Sequence, residues 1–232
     1  MTKWLSLVCF LLTGLVAGAQ WRGGDLSFLP SIEAVDYVYK DAAGSAIEDV
    51  PQWMADQGMN LARYRLWNDP ERLYNALPGV VQEAKRMQEA GMDILIDFHF
   101  SDSWADPGQQ VAPRMWRYLS FEEAQDAMAC WIVCVMETFA QEGVDIAMVQ
   151  LGNETDPGMM HPHGTLDDGF GNLASLLQAG HDAVPCPVQG RWSLSMYPAL
   201  ISLPGISPNF KRRATRLMSS PSATTASGTK PT

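Results

Sequence analysis

The sequence is poor in cysteine and lacks long apolar runs. Four of its 232 residues are cysteine, and Cys9 lies in an N-terminal segment that we expect to be removed. The remaining odd number cannot all pair, so the sequence predicts no disulfide framework of the kind that stabilises small secreted domains. No run after residue 19 reaches the roughly 20 apolar residues that a membrane-spanning helix needs. We therefore expect no membrane partner.

Basic charge is scarce in the body of the protein, and acidic charge is missing from its end. The formal net charge is −10, from 26 acidic and 16 basic residues. Every acidic residue lies at or before Asp182. All the charged residues in 183–232 are basic. Phosphate binding requires a basic surface. An acidic body thus argues against nucleic acid as a partner.

The first 19 residues have the organisation of a secretory signal peptide. Lys3 supplies the positive start, residues 5–12 form an apolar core, and residues 17–19 form a small-residue cleavage site. We expect a secreted, extracellular protein. Residues 20–184 are predicted to fold, and residues 185–232 form a divergent tail, rich in Pro, Ser and Thr, that we expect to be largely disordered.

Helix, glycine and apolar strand follow one another three times along the chain. Gly58, Gly91 and Gly143 fit the left-handed position just past a helix end, which glycine adopts without penalty. The alternation predicts a parallel sheet of the α/β class. Predicted helices cover 47–57, 80–90, 121 to 141 or 142, and 173–183. Predicted strands cover 61–67, 94–100, 146–151 and, more weakly marked, 24–30.

The C-terminal ends of these strands are polar and aromatic although their interiors are apolar. Side chains alternate along a strand, so the polar members of each strand point to one side, where charges need partners or a ligand. Such strand ends favour a (β/α)8 barrel over a doubly wound open sheet. In barrel enzymes the active site lies at this C-terminal end of the strands. The residues are Arg63, Arg65, Trp67, Asp97, His99, Asn153 and Glu154.

A loop that combines tryptophan with acids follows His99, with the sequence Ser101-Asp-Ser-Trp-Ala-Asp-Pro107. Sugar rings stack on indole and their hydroxyls bind carboxylates, so this loop suits a carbohydrate. The alternative is that Trp104 only plugs the end of the barrel. A structural alternative also exists for Glu154, which could open the next loop as a solvated acid.

Three strings resemble one family. They are Arg-x-Arg-x-Trp at 63–67, Ile-Asp-Phe-His-Phe-Ser-Asp-Ser-Trp-Ala-Asp-Pro at 96–107, and Gly-Asn-Glu at 152–154. The chain from about residue 21 to 184 is similar to glycoside hydrolase family 53, the arabinogalactan endo-β-1,4-galactanases. The resemblance implies a (β/α)8 TIM-barrel type fold. It also implies cleavage of β-1,4-galactan, the galactan of pectin, with retention of the anomeric configuration. We expect neither a metal nor another cofactor.

The resemblance also implies roles for individual residues. Glu154 would be the general acid/base, and Asn153 would bind the 2-hydroxyl of the sugar. A retaining mechanism adds a second carboxylate, about 5–5.5 Å from the first, as the nucleophile. The cleft near the cleaved bond would be lined by Arg63, Arg65, His99, Asp102 and Trp104.

Two features depart from the family pattern. His161 replaces a usual aromatic residue, and His161-Pro-His163 with Asp167 and Asp168 could suggest a metal site, although three ligands of fixed geometry are not evident.

A (β/α)8 barrel takes about 250 residues, yet the fourth strand ends at residue 151. A fragment at 192–198 resembles the family's sixth strand.

No glutamate follows Glu154, so this chain has no residue to match the family's nucleophile on the seventh strand. We expect only about the first half of the barrel, as a truncated and inactive monomer. The alternatives are a catalytically dead galactan-binding remnant and a half-barrel that dimerises to cover its open edges.

Overall fold

A computed structural model describes residues 20–71, 73–167 and 169–184. The expected signal peptide, the fragment at 192–198 and the tail lie outside this part. The helices are α1 (Leu29–Glu33), α2 (Val50–Asp56), α3 (Leu77–Glu89), α4 (Phe121–Gln141) and α5 (Gly171–Ala183), with a 3-10 turn at Leu73–Asn75. The strands are β1 (Gly23–Asp25), β2 (Leu61–Leu66), β3 (Asp93–Phe98), β4 (Ile146–Leu151), β5 (Gly158–Met159) and β6 (Gly164–Thr165).

The first four strands form one parallel sheet in the order β1-β2-β3-β4. Asp25 pairs with Arg63 in register, Arg65 with Asp97, and Asp97 with Gln150. The polar residues at the strand ends are therefore direct neighbours across the sheet. The short strands β5 and β6 form a separate antiparallel hairpin after β4.

The core lies between this sheet and the helices. Alternate residues of β2 and β3 are fully buried, whereas the arginines of β2 point to the opposite side. Helix α3 packs on both strands, and α4 packs along α5. Apolar side chains at helical spacing fill the layer, including Val80, Ala84 and Met87 of α3 and Met128, Ile132, Val135 and Phe139 of α4.

Local signals in the sequence set the element ends. Gly58, Gly91 and Gly143 have positive φ angles of 91°, 84° and 74°, as a residue beyond a helix end requires. The Ser120 side chain accepts a hydrogen bond from the Glu123 backbone, and the Glu123 carboxylate accepts one from the Ser120 N–H. These features confirm the predicted α/β alternation.

The predicted first strand at 24–30 is wrong beyond residue 25. The chain turns at Leu26, and α1 begins at Leu29, with Pro30 in its first turn. Proline suits that position because its missing N–H would have no partner there. The buried side chain of Leu29 anchors this short helix to the core.

Two long loops lie over the C-terminal ends of the strands and contact each other. The loop after β3 meets the loop after β4, where Ala112 N donates to His161 O at 3.1 Å and His161 N donates to Gln110 O at 2.6 Å. The mouth of the sheet is thus enclosed on this side. Among the described residues, no helix is long and apolar enough to cross a membrane.

Candidate active site

Arg63 joins the ends of all four parallel strands. Its guanidinium forms an ion pair with Asp25, the last residue of β1, and Nη2 lies 2.6 Å from Asp97 Oδ2 on β3. Arg63 Nη2 also donates to Asn153 Oδ1 at 3.0 Å, and Nε donates to Gln150 Oε1 at 3.2 Å. Asp97 is fully buried, so this cation is what makes its charge tolerable there.

His99 is buried beside this ion pair, and its Nδ1 accepts hydrogen bonds from the protein. Nδ1 accepts hydrogen bonds from Trp67 Nε1 and from the Ala105 backbone N–H, each at 3.1 Å. Nε2 lies 2.9 Å from Asp97 Oδ2. Because Nδ1 accepts two N–H groups, we place the ring proton on Nε2, facing the carboxylate. His99 therefore lies behind the cleft surface.

Asn153 closes a ring of polar contacts. Its Oδ1 accepts from Arg63, and its Nδ2 donates to the carbonyl of Ala105 at 2.7 Å. Ala105 N–H in turn donates to His99, which contacts Asp97, which pairs with Arg63. Each member is held by two others, so the ring fixes Asn153 in one orientation.

Glu154 lies next to this ring in an uncommon backbone conformation. Its φ angle is 47°, in the left-handed region, and Gly152 two residues earlier has a φ of 82°. Gln110, itself buried, donates from Nε2 to the carbonyls of Asn153 at 2.7 Å and Glu154 at 3.0 Å. The Glu154 residue is exposed at the mouth. Strained backbone of this kind clusters at functional sites.

Asp102 joins two of the loops at the mouth. Its Oδ1 accepts from Asp69 N at 3.1 Å, and its Oδ2 accepts from Arg114 N at 2.9 Å. Burial raises the pKa of the Asp102 carboxyl, whereas the two backbone N–H groups oppose this effect. Both oxygens are thus engaged by the protein, and the expected contact of Asp102 with substrate stays a prediction.

Arg65 and Trp104 meet at the rim of the mouth. The Arg65 Cζ lies 4.2 Å from the centre of the Trp104 ring and 4.4 Å from that of Phe28. Burial lowers the pKa of the Arg65 guanidinium, and the nearby Asp25 carboxylate partly offsets this. Trp104 is 40% exposed among the described residues, so its indole is partly open at the rim, and its contact with a sugar stays a prediction.

The two histidines of the loop after β4 contact backbone carbonyls. His161 Nε2 lies 3.0 Å from Pro157 O, and His163 Nε2 lies 2.9 Å from Trp116 O. Within the described ranges, which leave out Asp168, no group of three or more His, Cys, Asp or Glu could hold a metal ion.

The sequence profile of glycosyl hydrolase family 53 matches residues 21–190. The chain belongs to glycosyl hydrolase family 53. Similar proteins include arabinogalactan endo-β-1,4-galactanase A of Emericella nidulans, which is 35% identical over 172 residues that cover 73% of this chain and 48% of that protein. An uncharacterized protein of Niallia circulans is 37% identical over 169 residues, covering 70% and 46% of the two chains.

Solved structures of the family agree with the fold. One of two fungal β-1,4-galactanases superimposes with a TM-score of 0.67 and 29% identity, over 71% of this chain and 48% of that chain. The solved structures that resemble this chain are (β/α)8 barrels. The predicted fold, of which this chain forms about the first half, is confirmed. The chain spans about half the length of the curated relatives it matches.

The sequence patterns did not identify three residues that lie at this candidate site. Asp25 lay inside the predicted first strand, and the end of β1 at that residue would have marked it as a strand-end acid. Gln110 and Phe28 carry no local signal, because their contacts are with residues far away in the chain. Only the folded loops bring them to the mouth.

Proposed function

We propose that this chain carries the acid/base half of a retaining endo-β-1,4-galactanase site, with Glu154 as the general acid/base. The observation that supports this most is the closed ring of contacts around Asn153, which fixes the residue preceding Glu154 at the mouth. Glu154 itself is exposed there, where a glycosidic oxygen can reach it.

The chemistry follows from two carboxyl groups with different roles. The Glu154 acid donates its proton to the leaving oxygen while a second carboxylate attacks the anomeric carbon, and Glu154 then removes a proton from the water that hydrolyses the intermediate. No glutamate follows Glu154 in the 232-residue sequence. The nucleophile that the family places on its seventh strand therefore has no counterpart in this chain.

The substrate assignment rests on the family and on the residues at the mouth. The Emericella nidulans relative is named an arabinogalactan endo-β-1,4-galactanase, and we propose β-1,4-galactan as the ligand of this chain. Trp104 offers an aromatic surface at the rim for a sugar ring. Asn153 Oδ1 accepts from Arg63 Nη2 at 3.0 Å and from Gln150 Nε2 at 3.4 Å, and a sugar hydroxyl would replace the longer of these two contacts.

A binding function without catalysis is the second candidate. The absence of a later glutamate favours it, because an acid/base without a nucleophile recognises the sugar but does not complete retaining hydrolysis. We also propose secretion, from the signal-like residues 1–19, and a monomeric state. Mass measurement of secreted protein and light scattering test these two points.

A chemical-rescue experiment tests the role of Glu154. Sodium azide supplies an external nucleophile: its nitrogen bonds to the anomeric carbon, the glycosidic C–O bond breaks, and the leaving oxygen takes the Glu154 proton. We expect the purified chain to bind β-1,4-galactotetraose by calorimetry and to cleave it only with azide present. Glu154→Gln should abolish this cleavage, and Asp156→Asn, an exposed acid two residues away, should not.

Each result separates the candidates. Azide-dependent cleavage that survives Glu154→Gln would contradict the acid/base assignment. Binding of the tetraose with no cleavage under any condition would favour the binding-only function. Cleavage without azide that Glu154→Gln abolishes would show that this chain contains its own nucleophile.

A further inference from the structure

Two exposed aromatic rings lie side by side at the rim of the mouth, on the β1 side. Phe28 is 55% exposed and Trp104 is 40% exposed. Their ring centroids are 6.0 Å apart, with an interplanar angle of 42°. An exposed aromatic pair among polar residues is typical of a ligand-binding surface. None of the strings that identify the family contains Phe28.

Arg65 packs against both rings. Its guanidinium carbon lies 4.4 Å from the Phe28 centroid and 4.2 Å from the Trp104 centroid, and the residue is only 3% exposed. In the described part of the chain, Arg65 Nε and Nη2 have no hydrogen-bond partner, and the Asp25 carboxylate is 3.5 Å from Nη2. The buried guanidinium therefore interacts with the two rings and helps to hold both of them at the rim.

Both rings are held before any ligand arrives. Trp104 contacts Trp67 in an edge arrangement at 5.9 Å and His99 at 5.9 Å. Phe28 immediately precedes Leu29, which is 3% exposed and fixes the start of α1 in the core. A rigid aromatic surface loses little conformational entropy on binding.

The pair lies toward the β1 side of the mouth. Phe28 follows β1 and Glu154 follows β4, at opposite edges of the four-stranded sheet. A sugar that stacks on Phe28 is therefore offset toward the β1 edge from one that reaches Glu154.

We propose that Phe28 extends the Trp104 surface into a further carbohydrate subsite, which binds a sugar residue of the polysaccharide on the β1 side of the mouth. The inference rests on the proposed function in that the polysaccharide is taken to be β-1,4-galactan. The C–H face of a galactose ring packs on the two aromatic rings.

The simpler role for Phe28 is to cover the Arg65 guanidinium. That role predicts that Phe28→Ala lowers folding stability. It also predicts that any effect of the substitution on affinity is the same for short and long oligosaccharides. The subsite predicts the opposite: long oligosaccharides lose affinity and short ones do not. Chain-length dependence therefore distinguishes the two.

The test compares β-1,4-galactobiose with β-1,4-galactotetraose by calorimetry on the purified chain. We expect Phe28→Ala to weaken tetraose binding by at least about fivefold and to leave biose binding unchanged. Phe28→Tyr, which keeps a ring, should bind as the unsubstituted chain does. Phe170→Ala, which removes a 71% exposed phenylalanine elsewhere, is the matched control. Phe28→Leu, which keeps apolar volume, replaces Phe28→Ala if the alanine variant does not fold.

Equal tetraose affinity in the Phe28 and Phe170 variants would overturn the subsite. The same measurements with cello- and manno-oligosaccharides separate this inference from the assignment of galactan. If the chain binds one of these instead, and the Phe28 variant loses the longer oligomer, the subsite stands and the galactan assignment fails. If the chain binds none of the oligosaccharides, both fail.

Discussion

Arg63 and Asp97 depend on each other as ion-pair partners at the base of the mouth. The Asp97 side chain has no exposed surface, and that of Arg63 is 25% exposed. A buried carboxylate that loses its cation keeps the full cost of its desolvation. Arg63 also bonds Asn153, so its loss affects both the folding and the geometry next to Glu154.

Arg63→Met should therefore lower the free energy of unfolding by about 3 kcal/mol or more. The measurement is urea unfolding followed by circular dichroism. Arg114→Met is the control, because Arg114 forms an exposed ion pair whose loss costs at most about 1 kcal/mol. Equal losses in the two variants would show that the Arg63–Asp97 pair contributes no more than a surface pair.

The individual residues at the mouth were predictable only in part. Arg63 lies within β2, and His99, Asn153 and Glu154 follow strands whose apolar runs are clear in the sequence. Their location on one side or at one end of the sheet was therefore expected. Their partners were not, because contacts such as Ala105 with Asn153 depend on the path of a long loop. Local patterns carry no information about such a path.

At the level of single elements, α4 contains an acid that its surroundings do not favour. Glu137 lies on the helix with 6% of its surface exposed, and among the described residues its Oε2 has no hydrogen-bond partner. Burial raises the pKa of Glu137 to about 7. In the unfolded chain this carboxyl has an ordinary pKa of about 4.3.

The folded state thus binds more protons than the unfolded state between these values, so Glu137 lowers stability as the pH rises from about 4.3 to about 7. Glu137→Gln removes this loss. We expect the variant to gain stability over the unsubstituted chain at pH 8 and to gain less at pH 5, by urea unfolding. Glu122→Gln, an exposed site on α4, should show no such difference. A gain independent of pH would contradict the prediction.

The elements themselves followed closely from the sequence. The bounds of β2, β3, β4 and α4 agree with prediction to within two residues, because a glycine or a capping box marks their ends. The first strand failed since Gly24–Pro30 has no such marker until Pro30, and a proline is compatible both with a strand edge and with the first turn of a helix.

At the scale of the whole molecule, the described sheet has one long apolar border. A groove of about 380 Å³ follows the outer edge of β4 between α4 and α5, and Met136, Val144, Ile146, Met148 and Leu151 are among its lining residues. Sequence patterns predicted the parallel sheet, and the strings at its mouth predicted the family. What covers this border depends on contacts that local patterns do not encode.

The left-handed turn at Glu154 has a consequence for folding stability and for the acid/base role that we propose. For residues other than glycine, Asn and Asp, this backbone conformation costs roughly 1 kcal/mol. Glu154 adopts it, with a φ of 47°. We expect Glu154→Asn to raise the unfolding midpoint, because asparagine tolerates this region. Glu154→Gln, with the same backbone penalty, should not, and equal midpoints would refute the argument.

The same substitution that would relax this backbone would also remove the carboxyl that we propose as the acid. Stability and the proposed activity therefore make opposite demands on this one position.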